Sequence, residues 1–339
     1  MVGQPERVDP RSPSLHACPA RTALHRPLFI VGAPRSGTTL LQYMLRAHPG
    51  LSIPTGESHF IVPLMRDEAA YGDLSQRENV VAVLQAMHRQ RAEFVDTDLH
   101  GLRFDVQALA DRFVAEGRRT MRELVAGLFE ANARGEGKPR WGDKTPYYVL
   151  QMPALLGWWP QAQFIHVVRD GRDVALSLMG RRDDFYVYNT YFAARYWEQY
   201  VEAGRTHGEA LPPRQYLELR YEELLQAPRQ ALGAVCDFLG LEFQDSVLDY
   251  RRPAGGGKTP LLQGPLQTAN AGKWRHEMSP SQVRVFERAA GATLERFGYP
   301  VSTPGPRLPL PVRAAYRWHN GMVARWRQWR PADEVSRSS

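Results

Sequence analysis

The chain has 339 residues, 43% of them apolar and 23% charged, a balance that excludes fibrous and disordered classes and fits a globular protein with a core of its own. Its two cysteines, Cys18 and Cys236, are too few and too far apart for a disulfide framework or a cysteine-based zinc site. A reducing, cytoplasmic setting is therefore expected. The formal net charge is +7, yet no basic run interleaved with aromatics marks a nucleic-acid module, no apolar run is long enough for a membrane span, and none precedes Cys18 as a signal sequence would.

In chain order, residues 1–26 are rich in Pro, Arg and Ser without periodicity and read as a disordered or loosely attached arm. Order begins at Pro27, where PLFIVGA is an apolar strand, PRSGTT a loop, and LLQYMLRAH a helix with Leu40, Leu41, Met44 and Leu45 on one face. Helical stretches follow at about 77–94 and 118–134. FIHVV (164–168) is a buried-type strand, after which Asp170 or Gly171 opens a helix. FYVYNTYFAARYWEQY (185–200) places Phe185, Tyr188, Phe192 and Tyr196 on one helical stripe, part core and part lining for an acceptor. QYLELRYEELL is a third strand running into a helix. Strands alternating with helices predict a doubly wound α/β fold on a parallel sheet.

Residues 251–274 are too rich in Gly and Pro for a regular element and read as a long functional loop. Ser279, Pro280 and Gln282 then form a capping box with proline at the first helical position, and Gly298 ends that helix. Residues 300–311 are a Pro-rich linker. Beyond them, 312–329 carry Val312, Tyr316, His319, Val323 and Trp326 on a helical stripe among Arg313, Arg317, Arg325 and Arg327. This tail is expected to dock on the body of the protein or on a partner, with membrane contact as the alternative.

Gly32-Ala33-Pro34-Arg35-Ser36-Gly37-Thr38-Thr39 has the Gly-x4-Gly spacing of a phosphate-binding loop between strand and helix, where backbone N–H groups and the helix dipole hold an anion. Thr38 stands where nucleoside-triphosphate loops carry lysine, which disfavours ATP hydrolysis and favours a 5′-phosphate bearing another group. Arg35 is then the loop cation, with Ser36, Thr38 and Thr39 as hydroxyl donors. Further along, Arg169 closes a strand and Ser177 lies about two helical turns on, so both face one anion at the strand's carboxyl edge. The alternative is a pair of ordinary Arg–Asp contacts, Arg169–Asp170 or Arg172–Asp173, beside a small buried Ser177. Lysine occurs only at positions 138, 144, 258 and 273. Lys144, Lys258 and Lys273 stand in tight Gly, Thr or Pro contexts (GDKTP, GGGKTP, AGKW) that suit a compact donor better than a planar fork.

The runs PLFIVGAPRSGTTLLQYMLRAHP, FIHVVRDGRDVALSL and RYEELL, in that order, resemble the sulfotransferases that use 3′-phosphoadenosine 5′-phosphosulfate (PAPS). The likeness covers roughly residues 27–299, and HPGLSIPTGES and GDKTP bring it nearest to the branch of tyrosylprotein and many bacterial sulfotransferases. It implies a P-loop-like three-layer α/β fold over that span, to which the linker and helical tail at 300–339 are an extension. It also implies metal-independent transfer of a sulfonyl group from PAPS to a hydroxyl acceptor, whether small molecule, sugar or tyrosine peptide. On that likeness Arg169 and Ser177 bind the 3′-phosphate, Tyr221 lies near it or near the adenosine, and Lys273 belongs to the segment covering the cofactor. Lys258 is less well placed, since Arg252 stands where a phosphate loop would have its first glycine. Glu57 in GES matches the family's general base, with His59 and His48 as rivals, and Lys144 is the cation for the leaving phosphate. Two other readings stay open: a phosphoryl-transfer kinase of similar fold, and a non-catalytic protein that retains the nucleotide pocket.

Overall fold

In the computed structural model, which describes residues 26–93, 102, 104–250 and 264–329, five parallel strands form one sheet. They are β1 (Leu28–Gly32), β2 (Leu51–Ser52), β3 (Arg140–Lys144), β4 (Gln163–Val168) and β5 (Tyr216–Arg220), in the spatial order β2-β3-β1-β4-β5. Every pairing is parallel, and Ile30 at the centre is in register with Lys144 on one side and Ile165 on the other. The chain thus leaves β1 toward one edge and later crosses back to the other. That reversal opens a crevice at the carboxyl ends of the central strands.

Side-chain alternation along β1 sets the layers. Leu28 and Ile30 join an apolar cluster with Leu41, Met44 and Leu45 of α1 (Thr38–Arg46) on one face, while Phe29 and Val31 join the larger cluster on the other. Strand period 2 is what sends neighbouring residues into opposite layers. The remaining helices are α2 (Ile61–Arg66), α3 (Arg77–Glu93), α4 (Val106–Ala115), α5 (Met121–Gly135), α6 (Met152–Trp158), α7 (Gly171–Gly180), α8 (Arg182–Phe185), α9 (Thr190–Glu209), α10 (Tyr221–Gln226), α11 (Pro228–Leu239), α12 (Trp274–Glu277), α13 (Pro280–Arg296) and α14 (Leu310–Trp329).

Capping residues fix several helix starts. The Ser279–Gln282 box opens α13, a second box, Thr120–Glu123, opens α5, and the Asp170 carboxylate accepts from Arg172 N at the start of α7. Asn189 likewise caps α9, accepting from Phe192 N. This corrects the aromatic stripe: Phe185 and Tyr188 lie before the helix, because Tyr186 adopts a left-handed conformation that separates α8 from α9. β2 and β3 were not legible in the sequence. β3 reads RWGDK yet is buried along its length, because Arg140 donates to the carbonyls of Arg26 and Leu239 and to Gln163 Oε1.

The inner face of α14 meets the body through polar contacts and one stacked pair. Asn320 is buried, accepting from Tyr188 N and donating to the Tyr186 carbonyl; Asn189 donates to the Tyr316 carbonyl; and Arg313 donates to the Tyr191 hydroxyl. The Tyr191 and Tyr316 rings stack with centroids 5.6 Å apart. Among the described residues no helix is long and apolar enough to cross a membrane. Residues 1–25 of the N-terminal arm, with Cys18, and residues 251–263 of the long loop, with Lys258, lie outside the described residues.

Candidate active site

A cavity of about 780 Å³ opens at the carboxyl edge of the sheet. Each strand delivers something toward it: the glycine loop follows β1, Glu57 follows β2, Lys144 ends β3, Arg169 follows β4 and Tyr221 follows β5. This convergence is a property of the topology, since parallel strands present all their carboxyl ends to one side.

The loop is held in shape by its glycines. Gly32 and Gly37 have φ of 151° and 96°, and a Cβ at Gly37 would lie 2.2 Å from the Tyr221 ring. Only glycine lets the loop and that ring pack so closely. Arg35 also has positive φ, at 73°, and its Nε donates to Ser177 Oγ at 3.0 Å. Arg169 donates to the Arg35 carbonyl at 3.2 Å and to the Asn270 carbonyl at 2.6 Å, and its guanidinium lies 4.7 Å from the centroid of the Tyr221 ring. Loop cation, Arg169 and Ser177 therefore form one cluster. Within it Ser36 Oγ and Arg169 Nε are buried and have no hydrogen-bond partner among the described residues. Such donors are costly unless an acceptor arrives, which is what a bound phosphate supplies.

Asn270 is the residue that sequence reasoning missed. It lines the cavity, and its amide donates to the Tyr221 hydroxyl at 2.7 Å. Asp173 holds the segment there by accepting from Gly272 N and Trp274 N, while Arg172 is fully buried against Asp170 and Glu287 with Trp274 beneath its guanidinium. The RDGRD run is thus a latch for that segment. Lys273, predicted for the cofactor cover, lies in the latched segment but is not on the cavity wall.

On the opposite wall Glu57 accepts from Lys144 Nζ at 2.5 Å through Oε1 and pairs with His59 Nε2 at 2.9 Å through Oε2. The side chains are 15% and 4% exposed for Glu57 and Lys144. Burial alone would raise the Glu57 carboxyl, but the Lys144 charge and His59 hold it below the usual carboxylate range. It is therefore ionised and able to accept a proton at neutral pH. His48 does not reach this wall: its Nδ1 accepts from Gly50 N and its Nε2 faces the Glu242 carbonyl, so it ties the turn after α1.

Behind Lys144, burial lifts the Asp143 carboxyl from 3.8 to about 6, hydrogen bonds from Ser58 and Thr145 and the Lys144 charge offsetting only part of it. An acid whose pKa is raised on folding weakens the fold as pH climbs from its unfolded value to its folded one. Asp143→Asn is accordingly expected to stabilise the protein above pH 6 by on the order of 1–3 kcal/mol, an advantage that fades below about pH 4. Chemical denaturation at the two pH values checks this, and an equal loss at both would refute it.

Five aromatic side chains share the remaining wall with aliphatic residues such as Val62 and Leu266 and with Arg66, Asp183 and Asp184. Tyr147, Phe185, Tyr186, Tyr196 and Tyr200 line it, the last two stacked at 4.7 Å with their hydroxyls hydrogen-bonded. A phosphate-type cradle, a lysine-paired carboxylate and an aromatic chamber thus share one space. Against known proteins, the sulfotransferase family model matches residues 27–245. The chain belongs to the sulfotransferase family.

Among sulfotransferases with curated sequences it is 27% identical to protein-tyrosine sulfotransferase 2 of Gallus gallus over 86% of this chain and 75% of that one. Protein-tyrosine sulfotransferase 1 of Danio rerio is 26% identical over 80% and 72%. An uncharacterized protein of Aquifex aeolicus is 26% identical over 74% of this chain, which spans 30% of that protein's length. The fold matches the sulfotransferase domain of the Synechococcus PCC 7002 olefin synthase, with a TM-score of 0.54 and 24% identity over 83% of this chain and 96% of that one. A sulfotransferase domain from the curacin biosynthetic pathway gives 0.53 and 22% over 82% and 99%.

Proposed function

We propose that this sulfotransferase moves the sulfonyl group of PAPS to a hydroxyl acceptor with an apolar or aromatic body. The observation that carries the reading is the cavity itself, which has Arg169, its Nε without a partner among the described residues, at one end and a lysine-paired carboxylate at the other. The backbone N–H groups of Gly37, Thr38 and Thr39 and the Ser36 hydroxyl would hold the 5′-phosphate at the start of α1, the Ser36 N–H being spent on the Ala33 carbonyl. Arg35, Arg169 and Ser177 would hold the 3′-phosphate, beside Tyr221 and under the Asn270 segment. Lys273 would act from outside the wall, as part of that cover.

PAPS brings an activated sulfonyl group. Glu57 accepts the acceptor's hydroxyl proton as its oxygen bonds to sulfur. Lys144 keeps Glu57 ionised, and its remaining N–H donors offer a positive partner to the oxygen that gathers charge as the old S–O bond breaks. The aromatic chamber suits a phenol or a tyrosyl side chain, in keeping with the named activity of the chicken and zebrafish relatives.

The test is transfer of labelled sulfonate from PAPS to phenols, sugars and tyrosine peptides, in magnesium and in EDTA. Transfer is expected to at least one class, undiminished by EDTA. A strict magnesium requirement would favour the kinase alternative. Nucleotide binding with no turnover on any acceptor would favour the non-catalytic one.

A further inference from the structure

We propose that the outer face of α14 is a seat for an anionic lipid surface, a property that goes beyond the transfer reaction and does not depend on it. Of the large apolar side chains exposed on the described surface, Leu310, Val312, Trp318, Met322, Trp326 and Trp329 all lie on this helix. Trp318 is 65% exposed and Trp329 90%. Trp318, Met322, Trp326 and Trp329 recur at i, i+4, i+8 and i+11, which is one continuous helical stripe. The stripe lies apart from the inner face, where Tyr316 and Asn320 are spent on the body. α14 therefore carries two apolar faces, one for the fold and one turned outward.

Charge decides what that outward face fits. The sequence has no acidic residue between Arg296 and Asp333, while arginine occurs there at 307, 313, 317, 325, 327 and 330. Arg317 and Arg325 are exposed and lie along the edges of the tryptophan stripe. Tryptophan and methionine flanked by arginine are the composition of a helix lying in the plane of a bilayer, with rings at the headgroup level and guanidinium groups on lipid phosphates. A second copy is a poor occupant, because a two-fold contact through one helix would set Arg317 and Arg325 against the same residues of the other copy.

The position gives the seat a consequence. Asn320 is bonded to both Tyr186 and Tyr188, and Arg327 lies 3.6 Å from Asp183. Asp183 and Tyr186 line the cavity. A lipid surface held by α14 is thus linked to the chamber's rim by direct contacts, which favours acceptors presented at that surface.

The experiment is co-sedimentation of the full chain with phosphatidylcholine vesicles, with and without phosphatidylglycerol, at low and moderate salt. Binding to the anionic vesicles is expected, weakened by salt. Combined Trp318→Ser, Trp326→Ser and Trp329→Ser substitution is expected to weaken it by about tenfold or more, and Arg317→Gln with Arg325→Gln by a similar factor. Because Tyr316 and Asn320 are untouched, thermal unfolding should be unchanged. Failure of the wild type to bind anionic vesicles, or equal binding by the tryptophan variant, overturns the proposal. So does a concentration-dependent dimer in light scattering that the tryptophan substitutions dissociate, which would give the face to a second copy.

Discussion

Replacing Glu57 by glutamine is expected to lower turnover by roughly 10²–10⁴, the usual contribution of a general base, while leaving nucleotide binding intact. The amide keeps the volume and retains an oxygen for Lys144, but it cannot take a proton. Its cost to the fold is expected to be small, because Lys144 still meets an acceptor where Oε1 now lies. The loss should depend on the acceptor: an acidic phenol ionises without help and should recover part of the rate, whereas an unactivated alcohol should not. If Glu57 merely positions the acceptor, KM rises and kcat holds, and His59, 2.9 Å away, becomes the next residue to replace. Steady-state constants for two acceptors of different acidity decide between these outcomes.

Arg169→Ala is expected to weaken binding of 3′,5′-adenosine bisphosphate by about 2–3 kcal/mol and binding of adenosine 5′-phosphate far less. The side chain has more than one duty, since it also donates to the carbonyls of Arg35 and Asn270. Part of its loss will therefore be shared by both nucleotides as the Asn270 segment loosens. The difference between the two nucleotides isolates the 3′ contact. Calorimetry that finds equal losses would remove Arg169 from that role.

The starts of α7 and α13 and the loop after β1 were legible in the sequence because each rests on local chemistry: an aspartate or serine before an apolar run, or two glycines at a set spacing. β3 was hidden because Arg140, Asp143 and Lys144 look exposed, and only distant partners such as Gln163, Leu239 and Glu57 make their burial tolerable. Glu57 and Lys144 were both named from the sequence, but their direct pairing joins β3 to the loop after β2 and leaves no local mark. Asn270 was missed for a related reason. Lysine is rare in this chain and drew attention to Lys273, while the contacts of Asn270 with Arg169 and Tyr221 exist only once Asp173 has latched the segment. The tail was read as a single stripe, Val312 to Trp326. The structure shows a body-facing surface around Tyr316 and Asn320 and an outward surface around Trp318 and Trp329, a division that depends on which side meets Tyr186 and Tyr188.

One nucleotide is expected to bridge the β1 loop and the Arg169 cluster with its reacting end toward Glu57. A crystal structure with bound 3′,5′-adenosine bisphosphate tests it most directly. The 5′-phosphate is expected on the backbone N–H groups of residues 37–39, the 3′-phosphate on Arg35, Arg169 and Ser177, and the Ser36 hydroxyl and Arg169 Nε are expected to gain partners. A nucleotide bound with both phosphates away from the loop, or with Glu57 and Lys144 on the far side of the adenine, would contradict it.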